Sequence, residues 1–64
     1  MIKMFELYDK VRIKSNGIIG TIVDISAING ASMYVVESDK KNIEGGYGGD
    51  WKLFDCREKE IEKI

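Results

Sequence analysis

The sequence predicts an all-β domain, a small five-stranded, strongly bent antiparallel barrel with a short C-terminal α-helix. Three observations predict it. Residues 8–14 alternate between apolar and charged, Asn-Gly occurs at both 16–17 and 29–30, and the periodicity changes over residues 55–64. Sixty-four residues make a single domain, 1–64, close to the lower limit for folding unaided.

Each element has its own signal. In Tyr8-Asp9-Lys10-Val11-Arg12-Ile13-Lys14, Val11 and Ile13 point one way while Lys10, Arg12 and Lys14 point the other. That is the pattern of a half-buried strand. Asn16-Gly17 favours the positive φ angles of a tight reversal. Ile18–Ile25 is rich in Ile, Val and Thr and makes a second strand. Gly20 interrupts it and is expected to mark a bulge or sharp bend. Asn29-Gly30 then turns the chain into a third strand, Ser32–Glu37. Two hairpins so close together leave no room for a helical crossover, which excludes a parallel α/β design. Residues 38–50 are polar and glycine-rich and are expected to form a long loop with a brief irregular strand; Trp51–Phe54 closes the sheet. From Asp55 the pattern becomes helical, with Asp55 as N-cap, Glu58 three residues later, and Phe54, Ile61 and Ile64 on one face.

Composition narrows the function. There is no histidine and one cysteine, Cys56. A Ser–His or Cys–His nucleophile is therefore impossible, no intrachain disulfide can form, and no cysteine cluster has metal spacing. Cys56 lies at the expected helix start with no evident base beside it, so it reads as structural. The carboxylates are scattered and pair into no general acid and base. Asp24 is the one carboxylate inside an apolar strand, and it is expected to face outward. The expectation is a protein that is not an enzyme and uses no cofactor or metal. No stretch approaches the roughly 18 apolar residues of a membrane span. The opening Met1–Glu6 does not read as a signal peptide, because its apolar run is short and ends at Glu6. A cytoplasmic protein is expected.

The formal net charge is −1, which argues against a sequence-independent polyanion binder. Charge is nevertheless uneven: residues 1–14 sum to +2 and residues 37–51 to −2. Within the second stretch, Gly45-Gly46-Tyr47-Gly48-Gly49-Asp50-Trp51 places four glycines around a tyrosine beside the sole tryptophan. Such a loop offers flat faces to a ligand through Tyr47 and Trp51, and Gly45, Gly46, Gly48 and Gly49 offer exposed backbone N–H groups. The plain structural alternative is that the glycines make turns and Trp51 fills the core. Lys10, Arg12 and Lys14 could contact phosphates, although charged residues also keep a strand edge soluble.

The stretch Asp9-Lys10-Val11-Arg12-Ile13, followed by Gly17-Ile18-Ile19-Gly20-Thr21-Ile22-Val23-Asp24-Ile25, resembles the KOW motif and related small SH3-like barrels. In those a strand of the form Asp-x-Val-x-Ile leads through a turn into Gly-x-x-Gly-x-aliphatic-x-x-Ile, and Gly17, Gly20, Ile22 and Ile25 match those places. The resemblance covers residues 9–25 and implies an SH3-like barrel; such barrels bind RNA, ribosomal partners, peptides or other proteins. The leading functional expectation is an adaptor engaging a protein or peptide through the Tyr47–Trp51 loop. The alternatives are a weak KOW-like nucleic-acid binder and a small oligomer that sequesters an anionic ligand. A homodimer is also expected. Ile18 and Ile22 fall on one face and Ile19 on the other, and Met33–Val36 supplies both faces of its strand, more apolar surface than one small interior takes up.

Overall fold

The computed structural model describes residues 5–64, so the reading of the first residues as no signal peptide lies largely outside it. The described chain is all-β. Strands β1 (Lys10–Ile13), β2 (Ile19–Ile28), β3 (Ala31–Lys41), β4 (Trp51–Arg57) and β5 (Ile61–Lys63) form one antiparallel sheet. Their order is β4-β3-β2-β1-β5. The sheet is not closed. β4 and β5 are its two edges, and hydrogen bonding does not complete the expected barrel. No helix among the described residues is long and apolar enough to cross a membrane.

The two reversals differ. Asn29 and Gly30 have φ of 51° and 78°, the pair of positive angles of a two-residue hairpin turn, and Ile28 and Ala31 pair directly across it. At Asn16-Gly17 only the glycine is positive, at 74°. The Asn16 side chain instead accepts the Ile18 N–H at 3.0 Å, and the Gly17 N–H reaches the Ile13 carbonyl at 2.8 Å. The connection is a wider, side-chain-stabilised turn.

Gly20 pairs with Val11 on one side and Ser38 on the other. A Cβ there would strike the Glu37 carbonyl oxygen and lie 2.7 Å from Val36 Cγ1. The glycine therefore permits close approach of two strands. The expected bulge is not at Gly20: the β2–β3 register shifts between Ile22 and Asp24, leaving Val23 as the extra residue. Without it, Asp24 would share Ile22's inward face. With it, Asp24 is exposed and Ile25 packs against the core.

The core is formed by Phe5, Val11, Ile13, Ile22, Tyr34, Val36, Cys56 and Ile61, with Ile18, Ile25 and Phe54 against it. Of the three isoleucines of the second strand, Ile22 is buried, Ile18 packs on the core and Ile19 is 43% exposed. Phe5 meets the Tyr34 ring edge-on, with centroids 5.5 Å apart and planes at 82°. The Tyr34 hydroxyl is buried and has no hydrogen-bond partner among the described residues.

The expected C-terminal helix over 55–64 is absent. Residues 55–57 continue β4, pairing Val35 with Asp55, Tyr34 with Cys56 and Met33 with Arg57. Only Glu58–Glu60 turn as a 3₁₀-helix, after which Ile61–Lys63 pair with β1. A cap-like bond is present but shifted: the Glu60 carboxylate accepts the Arg57 N–H at 2.7 Å. Phe54 and Cys56 alternate inward and β3 offers a hydrogen-bonding edge, so tertiary pairing outweighs a local helical preference that is marginal at this length. The expected loop at 38–50 is shorter than read, because β3 runs on to Lys41.

Two stability measurements follow. Gly20→Ala should cost at least about 2 kcal/mol through overpacking, whereas Gly17→Ala, with nothing within 4 Å of its Cβ, should lose only about 1 kcal/mol to its positive φ. Urea melts compare them, and equal losses would remove the close approach as a constraint. Tyr34→Phe deletes a buried hydroxyl that has no partner among the described residues and whose unsatisfied burial costs about 1–3 kcal/mol. It should be neutral or stabilising, and a loss above about 1 kcal/mol would mean that the hydroxyl has a partner.

Candidate functional site

The connection between β3 and β4 is shaped by backbone conformations that few residues adopt. Asn42 has φ of 57°, and Gly45, Gly46 and Gly48 have 88°, 65° and 100°. The Asn42 N–H bonds the Asp50 carbonyl at 2.9 Å, closing the loop at its base. Tyr47 and Leu53 exchange backbone hydrogen bonds at 2.9 and 2.7 Å, so the loop folds back along the free edge of β4. A Cβ on Gly46 would sit 2.6 Å from the Leu53 carbonyl oxygen and 2.9 Å from the Phe54 ring. The glycines thus let the loop lie against Phe54, and the central amide, that of Tyr47, is already committed to Leu53.

This backbone fixes the two aromatic candidates. Tyr47 is 48% exposed and Trp51 43% exposed. The Tyr47 hydroxyl donates to Asp55 Oδ1 at 2.7 Å. That bond holds the phenol above its ordinary pKa, helped by desolvation and by the charges of Asp55 and Asp24. Trp51 pairs with Lys41, whose Nζ lies 5.4 Å from the ring centroid, a cation–π contact.

The surface extends beyond the loop. Strand alternation puts Trp51, Leu53 and Asp55 on one face of β4, and Tyr47 lies beside Leu53. Across the sheet, Glu37 stands opposite Leu53, and Val35 stands between Asp55 and Asp24. Val23, Val35, Glu37 and Leu53 are half-buried. The outer face of β2–β3–β4 therefore carries an apolar strip bordered by carboxylates and the two aromatics. Sequence reading missed Asp24, Val35, Glu37, Leu53 and Asp55 as members of this face. The alternation of Met33, Val35 and Glu37 against Tyr34, Val36 and Ser38 marks two faces, but only the register gives their neighbours.

The basic row is differently placed. Lys10 Nζ pairs with Asp39 at 2.8 Å, and Arg12 pairs with Glu62. Lys14 is exposed, its side chain joins no ion pair among the described residues, and its N–H bonds the Glu60 carbonyl at 2.9 Å. Exposed pairs contribute only about 0–1 kcal/mol, yet the partner carboxylates of Lys10 and Arg12 weaken the attraction the row would exert on a phosphate. Among the described residues no three His, Cys, Asp or Glu gather as metal ligands.

No family model matches the chain, and it has no match among the curated proteins or the solved structures.

Cys56 is buried, and its thiol is pushed up to about 11, first by burial and then by the charges of Glu60 and Asp55. The thiolate is the reactive form. At pH 8 a two-unit rise reduces its population about 100-fold. Thiol labelling of the native protein should therefore be at least about 100-fold slower than in urea, with the protection fading as pH approaches 11. Equal rates in native and unfolded protein would contradict the burial.

Proposed function

We propose that the chain is a non-enzymatic binding module that engages a protein or peptide through the Tyr47–Trp51 loop and the adjoining outer face of β2–β4. In this reading the open sheet is a relative of SH3-like barrels, consistent with the KOW-like stretch at residues 9–25. One observation carries the proposal. Tyr47 and Trp51 are both nearly half exposed while their backbones are held by paired hydrogen bonds and strand register. Aromatic side chains displayed on a fixed backbone lose little entropy on binding, and Trp and Tyr are prominent among residues that dominate binding energy.

Nucleic acid is the weaker reading. Two of the three cations proposed for it are compensated by Asp39 and Glu62, and the aromatic face is bordered by Asp24, Glu37 and Asp55, which repel phosphate.

The experiment is capture from native lysate with the wild-type chain and with a Tyr47→Ala/Trp51→Ala variant whose far-UV spectrum is unchanged. A protein should be retained by the wild type and lost from the variant, with affinity falling no more than modestly from about 50 to about 300 mM salt, a range that brackets the physiological value. Retained material that is removed by nuclease, or an affinity falling steeply with salt, would overturn the proposal.

A further inference from the structure

We propose that Trp51 and Glu37 form a receptor for a basic side chain, arginine or lysine, carried by the protein partner; this deepens the binding reading above and rests on it.

The inference begins from what already occupies the ring. Lys41 places its ammonium 5.4 Å from the Trp51 centroid, so the chain itself shows this indole taking a cation. The ring remains 43% exposed, which leaves area for a second group. Trp51 also borders an open depression with Glu37, Asp39 and Lys10. Asp39 is matched by Lys10. Glu37 is half-buried and joins no ion pair among the described residues. A partly desolvated carboxylate beside an exposed indole is electrostatically incomplete, and a guanidinium or ammonium completes it by pairing with the carboxylate and lying over the ring.

Charge complementarity extends the argument past one side chain. Asp24 and Asp55 flank Val35 on the same face and form no ion pair among the described residues, although Arg57 stands at the far end of the face, opposite Met33. The strip from Trp51 to Val35 thus combines apolar area with unmatched negative charge. It suits a peptide segment that alternates basic and aliphatic residues. Lys41 acts as the internal placeholder that such a segment displaces.

Trp51 is the sole tryptophan, so its emission reports the site directly. The probe is a short Arg-Val-Arg-Val peptide, with a citrulline-for-arginine analogue of equal shape and no charge. The arginine peptide should change Trp51 emission saturably and the citrulline peptide should not. Glu37→Gln should weaken binding about fivefold, and Lys41→Ala should tighten it about threefold by removing the competitor, magnitudes typical of single exposed charge contacts. Far-UV spectra confirm that both variants fold. Equal responses to the two peptides, or wild-type affinity in Glu37→Gln, overturn the receptor. If lysate capture still depends on Tyr47 and Trp51 when the arginine peptide fails, the binding surface stands and only its basic ligand is wrong. If capture fails while the peptide binds, the receptor stands alone.

Discussion

The close approach of β2 and β3 at Gly20 is the constraint on which the rest of the molecule depends. Gly20 is paired on both sides, and the space its Cβ would fill is taken by the Glu37 carbonyl and the Val36 side chain. That approach seats Val36 against Gly20, within the cluster where Val11, Ile22 and Val36 exclude solvent entirely. A chain this short buries a smaller fraction of its surface than larger domains, so a close approach that lets its few large residues pack together matters more than any single contact. The Val23 bulge completes the adjustment. It carries Ile25 inward and releases Asp24 to the outer face, where the carboxylate needs no buried partner.

The same economy shapes the display of the aromatic side chains. The loop after β3 is held at its base by the Asn42–Asp50 bond and at its middle by Tyr47 and Leu53. Gly45 and Gly46 lie against the Phe54 ring, which ties the loop to the core through a residue packed on it. Tyr47 therefore stands on a scaffold continuous with the sheet. Its hydroxyl, bound to Asp55, could have faced water at no cost, so the bond fixes orientation more than it adds stability.

What the sequence reveals and what it hides divide along sequence separation. The hairpins were legible because Asn-Gly and period-two alternation are local signals. Tyr47 and Trp51 stood out because glycines surround one and adjoin the other. The C-terminal segment was ambiguous. The seven-residue spacing of Phe54 and Ile61 fits one helical face, yet it also fits a strand, a single 3₁₀ turn and a second strand, which is what forms. The Asp55–Glu58 capping pattern was misleading, because Asp55 lies in β4 and the cap-like bond joins Arg57 and Glu60 instead; the choice was made by the edge of β3, whose pairing partner Met33 lies 24 positions from Arg57. The compensation of Lys10 and Arg12 was illegible for the same reason, since their partners are 29 and 50 residues distant.

Those distant pairs also decide how charge is distributed. Lys10, Arg12 and Lys63 are matched with Asp39, Glu62 and Asp9, and every one of these contacts involves β1, β5 or the residue preceding β1. Arg12 and Lys63 thereby tie the short edge strand β5 to β1 and the residue before it, while Lys10 reaches across β2 to Asp39 on β3. Across the sheet, Asp24, Glu37 and Asp55 join no ion pair among the described residues. A nearly neutral chain is therefore neutral only in sum. Folding pairs Lys10, Arg12 and Lys63 with carboxylates and leaves Asp24, Glu37 and Asp55 on the aromatic face without an ion pair among the described residues. The orientation of any partner is set by that division, because encounter is steered by uncompensated charge while exposed ion pairs present little net field beyond about 10 Å in physiological salt.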